Sequence, residues 1–226
     1  TFISIDSTLI DDMIAALHRT PVLSLPEAVA MAERHCKRSF GTEVAFATRF
    51  AEVLLDSERG QRYAAGMTVE DVATMHFYSQ ETVFYSSLNA TMGGWGVDGN
   101  EPLPQYLPFI RLLTIAMGKL PQVSATVYRG LKTVKLADLL HGRGDGDEVE
   151  WSAFTSGSMS SDVLRDPSFL GIGNDAQLGD IVCTIRIETG VSIQHFSDKG
   201  SASEYYLTPA GSFDQNEEEV LLWPGT

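Results

Sequence analysis

Positive charge is scarce in this sequence, and the shortage limits what the chain can bind. Lys and Arg number 16 against 30 Asp and Glu, which gives a formal net charge of −14. Nucleic-acid backbones and anionic membrane surfaces attract basic proteins, so this balance argues against both as partners. A basic protein or peptide is a better match, although a few arginines in a cleft can still bind a phosphate.

Long apolar runs and the features of a signal peptide are also missing. No stretch reaches the roughly 18 to 20 consecutive apolar residues that cross a bilayer. The N-terminal segment TFISIDSTLIDD lacks the basic start and the apolar core of a signal peptide. Because the chain begins with Thr, we expect a mature or trimmed fragment, and its location stays open between secretion, translocation and the cytoplasm.

Cysteine and the common catalytic motifs are sparse as well. Cys36 and Cys183 lie far apart in sequence and belong to no CxxC or Cys/His metal spacing, which favours two buried thiols over one disulfide. No G-x-S-x-G motif is present, so a hydrolase nucleophile elbow is poorly supported. Gly171-Ile-Gly173 lacks the third glycine and the following helix of a dinucleotide fingerprint.

Helical patterns dominate residues 6 to about 120. Ser24 to Glu27 and Thr68 to Asp71 have capping-box spacing, and the second box predicts one helix through residues 72–89. A further helix near YLPFIRLLTIAMGKL is predicted to end at Pro121. The Gly- and Pro-rich segment TMGGWGVDGNEPLPQ between them is predicted to be a loop.

Short β-branched runs with turn signals begin at residue 122. The predicted strands are VSATVYRG, EVEWSAFTS, DIVCTIRI, VSIQHFS and EVLLW. Helices followed by strands, without strand-helix alternation, predict an α+β fold and argue against a Rossmann fold. We expect a single domain over residues 1–226, with a helical lobe at 1–120 and a β-rich core at 121–226.

Three consecutive glutamates precede the last predicted strand. If that strand extends back through them, Glu217 and Glu219 point to one side, about 6.6 Å apart along the backbone, and Glu218 to the other. Two such carboxylates can flank a reacting centre, one stabilising positive charge on a sugar and the other handling a proton. A solvated acidic turn is the alternative. A Ca²⁺ site is a weaker one, because the glutamate run lacks the spacing of oxygen ligands found in known Ca²⁺-binding loops.

Arginine and serine residues at strand ends are further candidates. Arg129 ends a strand in Tyr128-Arg129-Gly130, where its planar guanidinium suits a phosphate in a cleft. Ser156, in WSAFTSGS, has a hydroxyl that can hold a neighbouring carboxylate. The alternative for Arg129 is a surface salt bridge, and the alternative for Ser156 is a Ser-rich turn. His195 is predicted to lie on a strand face, without partners for a metal.

The order of these pieces carries more information than any one of them. An aromatic-Arg-Gly strand is followed by Phe-x-Ser-x-Ser and then by Glu-x-Glu before Val-Leu-Leu. This order resembles the arginine-specific mono-ADP-ribosyltransferases of the R-S-E class, which include vertebrate ecto-enzymes and bacterial toxins and effectors. The resemblance extends over residues 65–226. It implies a helical N-terminal part followed by two packed, mainly antiparallel β-sheets around an NAD cleft.

The resemblance also implies roles for the candidate residues. Arg129 is expected to support the phosphates of NAD, and Ser156 to order the cleft and position the catalytic glutamate. Glu219 is expected to be that glutamate and to engage the ribose next to nicotinamide. Glu217 is expected to specify arginine as the acceptor. Phe169 is expected to pack on nicotinamide.

Further residues join the expected cofactor and substrate sites. Tyr128, Gly130 and Ser158 are expected to line the NAD site beside Arg129. The segment DKGSASEYYLTPAGSFDQN is longer than the corresponding turn of many family members, and we expect it to be the acceptor-recognition loop. Its aromatic residues Tyr205, Tyr206 and Phe213 are candidates for stacking on a target arginine.

One departure from the family pattern lies inside the serine motif. Gly157 replaces the middle residue of Ser-Thr-Ser, which removes one hydroxyl but leaves both flanking serines. We expect this change to tune the site rather than to abolish it.

The implied activity is transfer of ADP-ribose from NAD, the co-substrate, to an accessible arginine of a protein, by a monomer and without a metal. Glu219 would stabilise the oxocarbenium-like ribosyl cation that forms when nicotinamide leaves. Glu217 would orient the protonated guanidinium and accept a proton from it. The alternatives are an NAD glycohydrolase and a catalytically silent binding module that uses the 198–216 loop.

Overall fold

The computed structural model describes residues 7–80, 82–93, 103–131, 153–165, 181–197 and 218–224. The α-helices in these ranges are α1 (Ser7–Arg19), α2 (Leu25–Cys36), α3 (Gly41–Asp56), α4 (Glu58–Tyr63), α5 (Val69–Ser79), α6 (Val83–Gly93) and α7 (Leu107–Met117), and short 3-10 helices lie at Leu103–Gln105 and Ser161–Arg165. The strands are β1 (Gln122–Leu131), β2 (Thr155–Ser158), β3 (Ile181–Ser192) and β4 (Glu219–Leu222). Helices therefore precede strands, and the α+β prediction is confirmed.

Both predicted capping boxes start helices. The Glu27 carboxylate accepts hydrogen bonds from the backbone N of Ser24 at 3.0 Å and from its hydroxyl at 2.6 Å, at the start of α2. At the start of α5, Thr68 donates to the Asp71 carboxylate from its backbone N and from its hydroxyl, each at 2.6 Å. These bonds satisfy polar groups that the first turn of a helix leaves unpaired.

The single helix predicted over residues 72–89 is wrong, because α5 and α6 are separate. Gln80 has an extended backbone (φ −67°, ψ 131°) that ends α5. The backbone N of Thr82 donates to the carbonyl O of Gln80 at 2.7 Å and closes the turn. The apolar spacing continues across the break because Phe77 on α5 and Phe84 on α6 pack edge to face in one core, 5.0 Å apart.

Helices and strands share one hydrophobic core. Every residue of α5 from Asp71 to Tyr78 is buried, so this helix lies inside the molecule rather than on its surface. The strand-rich half adds five side chains to the same cluster: Phe154, Val191, Ile193, Phe196 and Leu221. The helical half therefore supports the sheet directly.

The four described strands form one antiparallel sheet that closes on itself in the order β1-β2-β4-β3. A second, smaller cluster consists of Val127, Ile187, Val220 and Leu222, one or more from each of three strands. The resemblance implied mainly antiparallel pairing, and all pairs among the described strands are antiparallel.

The predicted strand VSIQHFS is wrong as a separate element. Strand β3 runs without interruption through Gly190 to Ser192, and residues 193–197 form a turn. Gly190 permits close packing instead of a chain reversal, since a Cβ there would lie 2.9 Å from Cγ1 of Val220. His195 therefore lies in a turn and not on a strand face, with its ring stacked 3.6 Å from that of Tyr63.

Other expectations concern thiols, metals and membranes. Cys36 and Cys183 are free, as predicted, but they are partly rather than fully buried. In the described ranges, no group of three or more His, Cys, Asp or Glu side chains has the arrangement of a metal site. Of the helices that the structure describes, none has the length and apolar character needed to cross a bilayer.

Asp71 connects the start of α5 to the end of α7. Its carboxylate accepts the two hydrogen bonds from Thr68 and a third from Nζ of Lys119 at 2.5 Å, and only 6% of the residue is exposed. Burial opposes ionisation of Asp71, but the hydrogen bonds from Lys119 and Thr68 outweigh it and lower its pKa. The ionised carboxylate is thus part of the folded structure.

Replacing this carboxylate should destabilise the protein in a pH-dependent way. We expect Asp71→Asn to lower the free energy of unfolding by about 1 to 3 kcal/mol at neutral pH. Because the folded-state pKa lies below the ordinary value of 3.8, the stabilisation is present above that value and is lost as the pH falls through the folded-state pKa. Denaturant unfolding of both proteins across this range measures the difference.

Glu52→Gln is the matched control for Asp71→Asn. Glu52 pairs with Arg49 at 3.1 Å on the surface, where ion pairs contribute little. Equal losses in the two variants, or a loss in Asp71→Asn that persists unchanged in acid, would contradict the role given to the Asp71 carboxylate.

Candidate active site

Three neighbouring strands bring the sequence-predicted residues together. Tyr128, next to Arg129 in β1, is the register partner of Ser158 in β2. Ser158 is in turn the partner of Glu219, the first residue of β4. Paired strands lie about 4.8 Å apart, so residues distant in sequence form one row across the sheet. We call Tyr128, Ser158 and Glu219 the cross-strand row.

Arg129 is fixed at the junction of β1 and β2. Its guanidinium donates a hydrogen bond from Nη1 to the carbonyl O of Ser156 at 2.5 Å, and the residue is half-buried. Across β1 and β3, Arg129 pairs with Cys183. Burial raises the pKa of the Cys183 thiol, and the positive charge of Arg129 partly opposes this. A cation is therefore held in a defined place beside the cross-strand row.

The carboxylate of Glu219 is held by a residue that sequence reasoning did not select. Ser197, in the turn after β3, donates from its hydroxyl to Oε2 of Glu219 at 2.5 Å. Within the described residues, the hydroxyl of Ser156 makes no hydrogen bond to this carboxylate, and the role expected for it stays a prediction. The one sequence signal for Ser197 was its place at the end of VSIQHFS.

Tyr78 supports the site from the helical half and was also missed. Its hydroxyl lies 3.5 Å from the carbonyl O of Phe154, just before β2, and accepts a hydrogen bond from Nδ2 of Asn89 at 3.2 Å. Burial raises the pKa of Tyr78 well above its usual value; Arg129 lowers it and Glu219 raises it. Both charged side chains are therefore within electrostatic reach of a group on α5.

Several predicted site residues lie outside the described ranges. They are Phe169, Tyr205, Tyr206, Phe213 and Glu217. Their roles stay predictions, as does the shared orientation of Glu217 and Glu219. Glu218 is described: it is partly buried, and its carbonyl O accepts a hydrogen bond from the backbone N of Met159 at 3.0 Å.

Packing explains the glycine in the serine motif. A Cβ at Gly157 would lie 3.1 Å from the carbonyl O of Tyr128 and 3.1 Å from Cγ2 of Val127, both on β1. These separations are shorter than ordinary van der Waals contacts. A side chain at Gly157 would therefore push on the strand segment that holds Arg129.

A methyl group at Gly157 should cost stability. We expect Gly157→Ala to lower the free energy of unfolding by about 1 to 3 kcal/mol, because β1 must shift to accommodate it. Gly41→Ala is the control, since the nearest atom to a Cβ there is the Ser39 hydroxyl at 3.9 Å. Thermal or denaturant unfolding measures the stability of both variants. An unchanged stability of Gly157→Ala would show that close packing against β1 does not require glycine at this position.

Comparison with known families gives this geometry a context. The profile of the family described as ART, NAD:arginine ADP-ribosyltransferase, matches residues 31–220. The chain belongs to this family. The match begins well before residue 65, where the predicted resemblance starts, so α3 and α4 are part of the family region as well.

A bacterial relative shares part of the sequence. The protein named as the NAD(+)-arginine ADP-ribosyltransferase Vis, from Vibrio splendidus (strain 12B01), is 27% identical over 146 residues. These residues cover 64% of this chain and 55% of Vis, so the chain spans about half the length of that relative.

Solved structures share the fold. A mutant of the eucaryotic mono-ADP-ribosyltransferase ART2.2, determined in complex with NAD, has a TM-score of 0.59 at 20% identity and covers 99% of this chain and 79% of its own. The type III effector XopAI of Xanthomonas axonopodis pv. citri has a TM-score of 0.55 at 16% identity, over 97% of this chain and 88% of its own. These likenesses establish the fold of the chain.

Proposed function

We propose that this chain transfers ADP-ribose from NAD to an arginine side chain of a protein and releases nicotinamide. The observation that carries the proposal is the placement of Arg129 on β1 and Glu219 on β4, two strands that both pair with β2, within electrostatic reach of the same buried Tyr78. Arg129 can bind the diphosphate of NAD, and Glu219 can contact its ribose. The chain also belongs to the arginine ADP-ribosyltransferase family.

The residues present suit NAD as the co-substrate. Arg129 is half-buried and is held through Nη1 by the carbonyl O of Ser156, and its planar guanidinium suits a diphosphate. Glu219 is partly exposed and its carboxylate is held by Ser197, which suits contact with a ribose hydroxyl. Binding of NAD to the related ART2.2 mutant is consistent with this assignment.

The reaction replaces one C–N bond with another. The bond between C1′ of the ribose and the nicotinamide nitrogen breaks, and nicotinamide leaves with the electron pair and is neutral. A guanidinium nitrogen of the acceptor forms the new bond to C1′ and loses one proton. The carboxylate of Glu219 would stabilise the positive charge that develops on the ribose between these events.

Glu217 is the proposed acceptor of the proton. An arginine side chain has a pKa above about 12 and arrives protonated, so it is a poor nucleophile until a second carboxylate orients and deprotonates it. The sequence spacing of Glu217 and Glu219 in a strand supports this division of roles. The net charge of −14 favours target proteins whose arginines lie on basic surfaces.

Labelled NAD tests the proposed activity directly. We expect wild-type protein, incubated with NAD labelled in the ADP-ribose part and an arginine-rich acceptor, to release nicotinamide and to label the acceptor on arginine. Release without labelling would identify a glycohydrolase. Neither signal would indicate a silent binding module, and an adduct on Cys, Asn or Ser would reject arginine as the acceptor.

Substitutions in the glutamate run separate the two proposed roles. We expect Glu219→Gln to abolish both signals, because the charge on the ribose loses its carboxylate. Glu217→Gln should retain NAD hydrolysis and lose arginine labelling, because water needs no second carboxylate. Glu218→Gln is the matched control and should keep both signals. Equal losses in the Glu217 and Glu219 variants would overturn the division of roles.

A further inference from the structure

We propose that Ser197 is a positioning residue for Glu219, and that the turn containing it sets the orientation of the catalytic carboxylate. The inference rests on the proposed function, because Glu219 is catalytic only if the protein transfers ADP-ribose. One of its two tests nevertheless requires no turnover. The resemblance assigned this task to Ser156, which lies on a different strand. The geometry points to the turn after β3 instead.

The hydrogen bond is formed by a donor that is shielded from water. Ser197 is fully buried, with 0% of its surface exposed, and its hydroxyl donates to Oε2 of Glu219. Hydrogen bonds from hydroxyl groups to ionised carboxylates are stronger than those between neutral groups. The bond fixes the Glu219 side chain at a point where its own strand is just beginning.

The same turn also binds the backbone of Glu219. The backbone N of Ile193 donates to the carbonyl O of Glu219 at 2.9 Å. The carbonyl O of Ile193 accepts hydrogen bonds from the backbone N of Phe196 and of Ser197, at 2.8 Å each, and this closes the turn. Residues 193–197 therefore hold Glu219 at both ends, through its main chain and through its carboxylate.

A buried histidine anchors the turn to the helical half. Nδ1 of His76, on α5, lies 2.9 Å from the carbonyl O of Phe196, and a carbonyl can only accept, so His76 is the donor. His76 is 1% exposed, and its ring stacks on Phe50 with centroids 3.8 Å apart. The position of the Ser197 hydroxyl is thus set by packing of α3 and α5.

A donor to a carboxylate stabilises its ionised form. Removing the Ser197 hydroxyl should therefore make Glu219 titrate at higher pH, besides releasing its side chain. Tyr78 interacts electrostatically with both Glu219 and Arg129, and Glu218 adjoins Glu219 in sequence. These groups are unchanged in a Ser197 variant, so a shift in the titration of Glu219 reports on the lost hydroxyl.

The first experiment follows Glu219 without NAD. The carboxyl carbon of Glu219, assigned by its loss in Glu219→Gln, is titrated by carbon-13 NMR in wild type, Ser197→Ala and Ser192→Ala. Ser192 is the control because it lies on β3 opposite Val220 and has no bond to Glu219. We expect the titration midpoint to move to higher pH in Ser197→Ala alone. An unchanged midpoint would overturn the proposal.

The second experiment uses turnover of the same proteins. We expect Ser197→Ala to lower kcat by about 10- to 100-fold with little change in KM for NAD, and to move the acid limb of the pH profile upward. Ser197→Cys, with a weaker donor of similar size, should lie between wild type and Ala. A lower melting temperature with unchanged kcat and pH profile would show a structural role only, against the proposal.

The two experiments distinguish failure of this inference from failure of the proposed function. If wild type releases no nicotinamide, the proposed function fails, and the NMR titration still decides whether Ser197 controls Glu219. If Ser197→Ala does not fold, Ser197→Cys takes its place in both measurements. An intact midpoint in Ser197→Cys together with full activity would then count against the proposal.

Discussion

The burial of α5 is the constraint on which the rest of the structure depends. A helix buried on nearly every side must pair each of its polar groups, because an unpaired buried group costs stability. Asp71 pairs with Lys119 at the end of α7, His76 with the turn after β3, and Tyr78 with Asn89 and the chain before β2. These three polar residues of α5 therefore each fix a different element.

Two of these polar contacts connect α5 to the candidate site. His76 fixes the turn that holds Glu219, and Tyr78 interacts electrostatically with both Arg129 and Glu219. The site is thus built at the boundary between the helices and the sheet, although Arg129, Ser156 and Glu219 all come from strands. A change in the packing of α5 can therefore alter the position of the Glu219 carboxylate through the turn at residues 193–197.

Local patterns in the sequence were sufficient for much of the fold. Capping residues and apolar spacing predicted where α2 and α5 begin, and the change of pattern after Pro121 predicted the α+β class. The order of Arg129, Ser156 and Glu219 led to the correct family. The capping and spacing signals lie in short segments that can each be interpreted alone, whereas the family signal lies in the order of three such segments.

Features that depend on contacts between distant segments escaped prediction. The strands DIVCTIRI and VSIQHFS were predicted to be separate, but Gly190 between them lets β4 approach β3, as the packing of Val220 and Leu222 shows. The break after Ser79 was hidden because Phe77 and Phe84 face one core across it. Ser197 and Tyr78 gained their importance from partners that lie far away in sequence.

The closed order of the strands makes the cross-strand row part of the closure itself. Strands β1 and β2 pair at Tyr128 and Ser158, and Ser158 pairs in turn with Glu219 of β4. The pairing of β3 with β4, through Val191 and Ser192, completes the closed order. A change that separates β1 from β2 would therefore open the sheet and pull apart the cross-strand row in one event.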